Sequence, residues 1–215
     1  MEEESHQLLK IESSQICIIC DKDEKKPQLG TGFVFLRPNW VVTAAHVVLD
    51  DFKAPRDKLY AEFPDNRKLE LPVKVLAVHK ENDIALLEII GDTTPGSKPL
   101  FPGYVELSVS KGLISLGYTP SKGRTITASL AKTYDKKIRE READETILEF
   151  ESNQVEGGSS GGPIFGDGGA VLGILINVFT TEKEPDKTFA RATSILNLMN
   201  GIVIDYNPEI LISIK

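Results

Sequence analysis

Two cysteines, Cys17 and Cys20, are all that this 215-residue chain carries. The several disulfides that staple small secreted domains are therefore excluded. No apolar run approaches the roughly 18 residues that would suggest a membrane-spanning helix. Basic charge is also short: 25 Lys and Arg stand against 32 Asp and Glu, a net charge of −7. Nucleic acid is not expected as the main partner, because phosphate binding needs a clustered basic surface. The N-terminus, Met1-Glu2-Glu3-Glu4-Ser5-His6, lacks the basic start and apolar segment of a secretory signal. With Met1 as the true start, these absences lead to the expectation of a cytosolic protein in a reducing compartment, with no membrane partner.

Glycine is concentrated in one place, Gly157-Gly158-Ser159-Ser160-Gly161-Gly162-Pro163. Such a stretch is poor core material and costly in chain entropy. It makes sense where the backbone itself has chemistry to do, since nucleophilic acyl transfer needs a hydroxyl plus N–H groups aimed at a developing oxyanion. Gly158 leaves its N–H open to a reacting carbonyl, and Gly161 and Gly162 can take the tight, positive-φ geometry that presents a serine on a turn. The frame Gly158-x-Ser160-Gly161-Gly162-Pro163 makes Ser160, not Ser159, the candidate nucleophile. Taken alone, the loop reads equally as a flexible turn.

Histidine is scarce as well, with three in the chain. His6 sits in a polar tail, and His79 reads as a strand-end or surface residue. His46 ends the apolar stretch Trp40-Val41-Val42-Thr43-Ala44-Ala45-His46, and Asp83 opens another, Asp83-Ile84-Ala85-Leu86-Leu87. The order His, Asp, Ser is that of chymotrypsin rather than of subtilisin or the α/β-hydrolases. On these three motifs the sequence, from about Leu29 to about Thr193, resembles the trypsin/chymotrypsin-fold serine proteases. It is most similar to their HtrA/Deg-type bacterial branch, which lacks disulfides.

That resemblance implies an all-β fold of two six-stranded antiparallel β-barrels with the active site in the cleft between them. The chain reads as one peptidase domain over 1–215. The first barrel spans about 13–92, with strands near 15–20, 29–35, the His46 strand, 58–63, 69–78 and 84–89. A Gly/Pro-rich linker, 91–102, leads to a second barrel over about 103–193. Its strands fall near 103–107, 112–117, 123–134, 146–151, 163–166, 170–179 and 187–192. A tail, 194–215, begins with a short helix. The sequence stops where an HtrA-type protein would continue into a peptide-binding domain, so that module is expected to be absent.

The resemblance further implies that Ser160 attacks, His46 acts as base and then acid, and Asp83 orients the imidazole. The N–H groups of Gly158 and Ser160 form the oxyanion hole. Gln154, six residues before Ser160, falls at the floor of the S1 pocket; being neutral, it predicts no strong preference for basic side chains. Leu175, Ile176 and Asn177 fall on the strand that lines the substrate groove, where a protein or peptide substrate would add as a further strand. Ser159 stands where zymogen-type members carry an aspartate, and no Ile-Val-Gly-Gly segment occurs. Control by a regulatory partner or by loop ordering is expected instead.

No cofactor and no metal are expected. Cys17-x-x-Cys20 has no second pair to complete a zinc site, and its two positions face opposite sides of a strand, as small buried hydrophobes. Asp21-Lys22-Asp23-Glu24 lacks the glycine and distal glutamate of a calcium loop. Asp135 to Glu145 mixes both signs of charge and reads as a solvated hairpin tip or a regulatory loop. Two alternatives stay open: a silent protease-fold binding module, and an esterase using the same triad.

Overall fold

The computed structural model describes residues 14–22, 28–51, 53–64, 69–92, 95, 98–103, 113–118, 126–131, 139–141, 145–151, 155–166, 169–182 and 184–199. Six strands form the first lobe: β1 (Ile16–Asp21), β2 (Gln28–Val34), β3 (Trp40–Ala44), β4 (Leu59–Phe63), β5 (Leu69–His79) and β6 (Ile84–Ile89). They close into a barrel in the order β1-β2-β3-β6-β5-β4, every pairing antiparallel. Closure leaves no sheet edge exposed. A short helix, α1 (Ala45–Val48), follows β3 directly.

The apolar runs of β1, β3 and β6 follow from their position. Alternate residues of a strand face opposite sides, and here both sides are covered. Cys17 and Ile19, Val41, and Ala85, Leu87 and Ile89 fill the barrel interior. The intervening Ile16, Trp40, Val42, Ile84 and Leu86 pack instead on Leu116, Phe165, Val171, Ile174, Ile195 and Leu198 of the second lobe. One continuous core thus joins the lobes. Each large side chain so buried contributes about 1.5–3 kcal/mol. Cys17 and Cys20 are buried thiols on these opposite faces. Burial pushes the Cys17 thiol well above its usual range; Cys20 adds to the rise, and a Gly32 main-chain hydrogen bond partly opposes it.

The second lobe contains β7 (Leu113–Tyr118), β8 (Ile126–Ala131), β9 (Arg139–Arg141), β10 (Glu145–Glu151), β11 (Pro163–Phe165), β12 (Val171–Thr181) and β13 (Glu184–Ser194). Where a six-stranded barrel was expected, the described residues make one seven-stranded sheet, ordered β8-β7-β11-β12-β13-β10-β9. A short hairpin strand, β9, supplies the extra member by pairing with β10 at Arg139–Arg141. Residues 135–138 and 142–144 of the charged segment, most of the expected 103–107 strand, the outer ends of the 123–134 strand and the tail from residue 200 lie outside the described residues. The expected terminal helix begins as α2 (Ile195–Leu198), capped by the Ser194 hydroxyl, which accepts from Leu196 N–H.

The end of the interlobe linker is stitched to both lobes. Leu100 N–H donates to Val34 O and Leu100 O accepts from Leu36 N–H, at 2.9 and 3.0 Å. Beyond it, Gly103 N–H donates to Val171 O, and Val171 N–H to Phe101 O.

Candidate active site

His46 and Asp83 come together through the pairing of β3 with β6, which sets Ala44 opposite Ile84. Asp83 ends the β5–β6 turn with φ of +53°, a left-handed conformation that aspartate tolerates better than most residues. In that posture it takes three hydrogen bonds from the start of α1. Its carbonyl accepts from Ala45 N–H at 3.0 Å, Oδ1 from His46 N–H at 2.9 Å, and Oδ2 from the His46 ring Nδ1 at 2.6 Å. An ionised carboxylate can only accept, so the proton sits on Nδ1 and Nε2 is left as an acceptor. The imidazole is 50% exposed and the carboxylate 23%. His79 serves the same turn differently: its Nδ1 accepts from Asn82 N–H at 3.3 Å. His6 lies outside the described residues.

The glycine-rich loop is two successive turns. Ser159 N–H donates to Glu156 O at 3.2 Å, and Gly162 N–H to Ser159 O at 3.0 Å. The third residue of each turn, Gly158 and Gly161, has φ of +96° and +87°. That sign is the requirement of a type II turn, and glycine meets it without strain. The sequence suggested positive φ at Gly161 and Gly162. Gly162 is instead a glycine for space, since a Cβ there would strike Leu116 O. At Gly161 both constraints act, as a Cβ would strike Thr31 O and Thr43 Oγ1.

The two serines have different surroundings. Ser159 is 4% exposed, and its hydroxyl donates to Tyr118 O at 3.2 Å. Ser160 is partly exposed, and its hydroxyl donates to Ile176 O at 3.0 Å. Among the described residues, no hydrogen bond joins Ser160 Oγ to the His46 ring. The N–H groups of Ser159, Gly161 and Gly162 all reach carbonyl oxygens. Those of Gly158 and Ser160 donate to no partner among the described residues. These are the two N–H groups expected to meet an oxyanion.

The expected substrate strand is corrected in detail. Leu175 is fully buried, and its main chain is already used: its N–H donates to Gly162 O and its carbonyl accepts from Gly161 N–H. The register with β13 slips after Leu175↔Ala192 and resumes at Asn177↔Arg191, which makes Ile176 a bulge residue. Bulges re-aim a strand beside active sites, and here the Ile176 carbonyl reaches Ser160. Asn177 is exposed. Gln154 lies outside the described residues.

Thr31 is the residue that the sequence did not single out. It is fully buried on β2, and its hydroxyl donates to Gly158 O and accepts from Tyr118 N–H, both at 2.8 Å. Its N–H donates to Ser160 O at 2.8 Å, and its carbonyl accepts from Thr43 Oγ1 at 2.6 Å. The sequence signal was its place in Gly30-Thr31-Gly32-Phe33, which matches a Gly-Ser/Thr-Gly-Phe strand of the family that the sequence resembles. A Cβ at Gly30 would meet Ser160 O at 2.9 Å and Val47 Cγ2 at 2.6 Å.

Residues 30–174 match the model of the trypsin-like peptidase domain family. The chain is 26% identical over 162 residues to a probable periplasmic serine endoprotease, DegP-like, of Pseudomonas putida. That alignment covers 74% of this chain and 31% of the relative. A DegP-like protein of Hahella chejuensis is 26% identical over 153 residues, covering 70% and 30%. The chain thus spans about a third of the length of the curated relatives it matches. Among solved structures, the inactive form of Rv3671c from M. tuberculosis, a serine-to-alanine mutant, has a TM-score of 0.67 at 21% identity, covering 91% of this chain and 89% of that one. Deg5 has a TM-score of 0.67 at 20% identity, covering 93% and 92%. The chain belongs to the trypsin-like peptidase domain family.

Proposed function

We propose that this chain is a serine endopeptidase in which Ser160, His46 and Asp83 act as the triad. The observation that carries the reading is the pairing of His46 with Asp83, which leaves Nε2 as an acceptor. The hydroxyl of Ser160 turns from Ile176 O to that nitrogen, gives it a proton, and attacks the scissile carbonyl carbon. The new oxyanion is met by the N–H groups of Gly158 and Ser160. Collapse of the tetrahedral intermediate breaks the C–N bond, and His46 returns the proton to the leaving amine. Water, activated in turn by His46, hydrolyses the acyl-enzyme.

A protein or peptide substrate lies in extended form beside β12. One side of β12 is taken by β13, while pairing with β11 on the other ends at Pro163↔Ile174. The main chain from Ile176 onward is where an added strand pairs. Activation does not need a freshly cut N-terminus. In support, Ser159 is neutral and its hydroxyl is already engaged by Tyr118 O. Regulation by a partner or by ordering of a loop is part of the proposal. The relatives are named as periplasmic, whereas the cytosolic placement expected from the sequence stands as a proposal, to be decided by fractionating the source cells.

The test is hydrolysis of an unfolded protein and of matched peptide amide and ester substrates by the wild type and by Ser160→Ala. Turnover of amides, lost in the variant, is expected. Ester turnover alone would favour the esterase reading, and no turnover of either would favour a silent binding module.

A further inference from the structure

We propose that Thr31 is a positioning residue, setting the nucleophile loop in register with the His46–Asp83 pair across the interlobe cleft. The inference rests on the endopeptidase reading and deepens it. The two halves of the site sit on different lobes, so something must fix one against the other. Thr31 holds the carbonyl of Gly158 with its hydroxyl and the carbonyl of Ser160 with its N–H. Those two carbonyls bracket the Ser159–Ser160 pair, which contains the proposed nucleophile.

The same residue is braced toward the other half. Its carbonyl accepts from Thr43 Oγ1, and Thr43 lies three residues before His46 on the strand that runs into α1. Short hydrogen bonds thus link Thr43 through Thr31 to Gly158 and Ser160, and the main chain carries the link from Thr43 on to His46. The Thr31 hydroxyl is also saturated, donating once and accepting once, the acceptance being from Tyr118 N–H in β7. A valine there keeps the branched shape but can do neither. It leaves Gly158 O and Tyr118 N–H without their Thr31 partner, and the loop loses the bond that holds the Gly158–Ser159 peptide, the neighbour of the peptide that carries the Gly158 N–H. Serine keeps the hydroxyl and loses only a methyl group.

The effect belongs to the transition state, because the Gly158 and Ser160 N–H groups meet charge that exists only there. Removing one oxyanion donor costs about 10²–10³-fold in kcat, and displacing it by about an ångström costs up to 10²-fold. Steady-state kinetics with a peptide amide substrate tests this on wild type, Thr31→Val, Thr31→Ser and Ser160→Ala. In Thr31→Val we expect kcat to fall by about ten- to a hundredfold with KM changed less than about threefold. Affinity for a peptide boronic acid should fall in parallel. Thr31→Ser should stay within about threefold of wild type, since it retains the hydroxyl. Circular dichroism verifies folding at the assay temperature. Should Thr31→Val not fold, Thr31→Ala, which leaves room for a water at the Tyr118 amide, takes its place with the same expected split.

A folded hydroxyl-less variant with wild-type kcat overturns the inference. So does a loss that serine does not rescue, or one that appears in KM alone. Turnover surviving in Ser160→Ala, or no turnover in the wild type, sinks the endopeptidase reading itself and this inference with it.

Discussion

The two halves of the site are built by different means. His46 and Asp83 belong to a closed barrel, and three hydrogen bonds within that barrel fix their geometry. Ser160 belongs to a loop made of two glycine turns, whose bonds run outward: to Tyr118, to Leu175, and to Thr31 of the other lobe. The proposed base is oriented locally, whereas the loop of the proposed nucleophile is tied to the other lobe. The hydroxyl itself rests on a main-chain oxygen of β12, the strand proposed to receive substrate. The contrast teaches that the His46–Asp83 pair is held within one barrel, while the Ser160 loop depends on cross-lobe contacts.

The contrast can be broken first on the barrel side. Asp83→Asn keeps the size of the side chain and an acceptor for one N–H, but permits the wrong imidazole tautomer. We expect kcat to fall by about 10⁴-fold with the fold intact, by analogy with the corresponding change in a serine protease triad. Steady-state kinetics alongside a thermal melt checks it, and a loss under tenfold would mean that the pair is not the catalytic one.

On the loop side, two glycines four residues apart should differ sharply. Gly161→Ala must accept φ of +87° and a clash with Thr31 O and Thr43 Oγ1. A loss of about 3 kcal/mol or more is expected, strain and overpacking each contributing on the order of 1–3 kcal/mol. Gly157→Ala places its methyl where no atom lies within 4 Å, and should stay within about 0.5 kcal/mol of wild type. Urea unfolding of both variants measures the difference. Equal stabilities would contradict the loop geometry described here.

Much of this was legible in the sequence, for reasons that the fold makes plain. The strands of the barrel appear as apolar runs because both their faces are covered, so Ile16–Asp21 and Ile84–Ile89 could be placed to within a residue or two. The choice of Ser160 over Ser159 followed from the glycine frame, and burial of Ser159 against Tyr118 agrees with it. What escaped depends on distant partners. A threonine between two glycines says nothing of the loop 127 residues away that its hydroxyl reaches. The bulge at Ile176 exists only in the register of β12 against β13, so the resemblance that put Leu175, Ile176 and Asn177 together on the substrate strand could not tell the three apart. Likewise, Gly158 needed positive φ as well as an open N–H, and that requirement is a property of the turn, not of composition.

The most direct measurement is reaction with a serine-directed fluorophosphonate, followed by peptide mapping of the modified residue. The account predicts one adduct per chain, on Ser160, absent in Ser160→Ala and retained in Ser159→Ala. An adduct on Ser159, or labelling that survives Ser160→Ala, would contradict it.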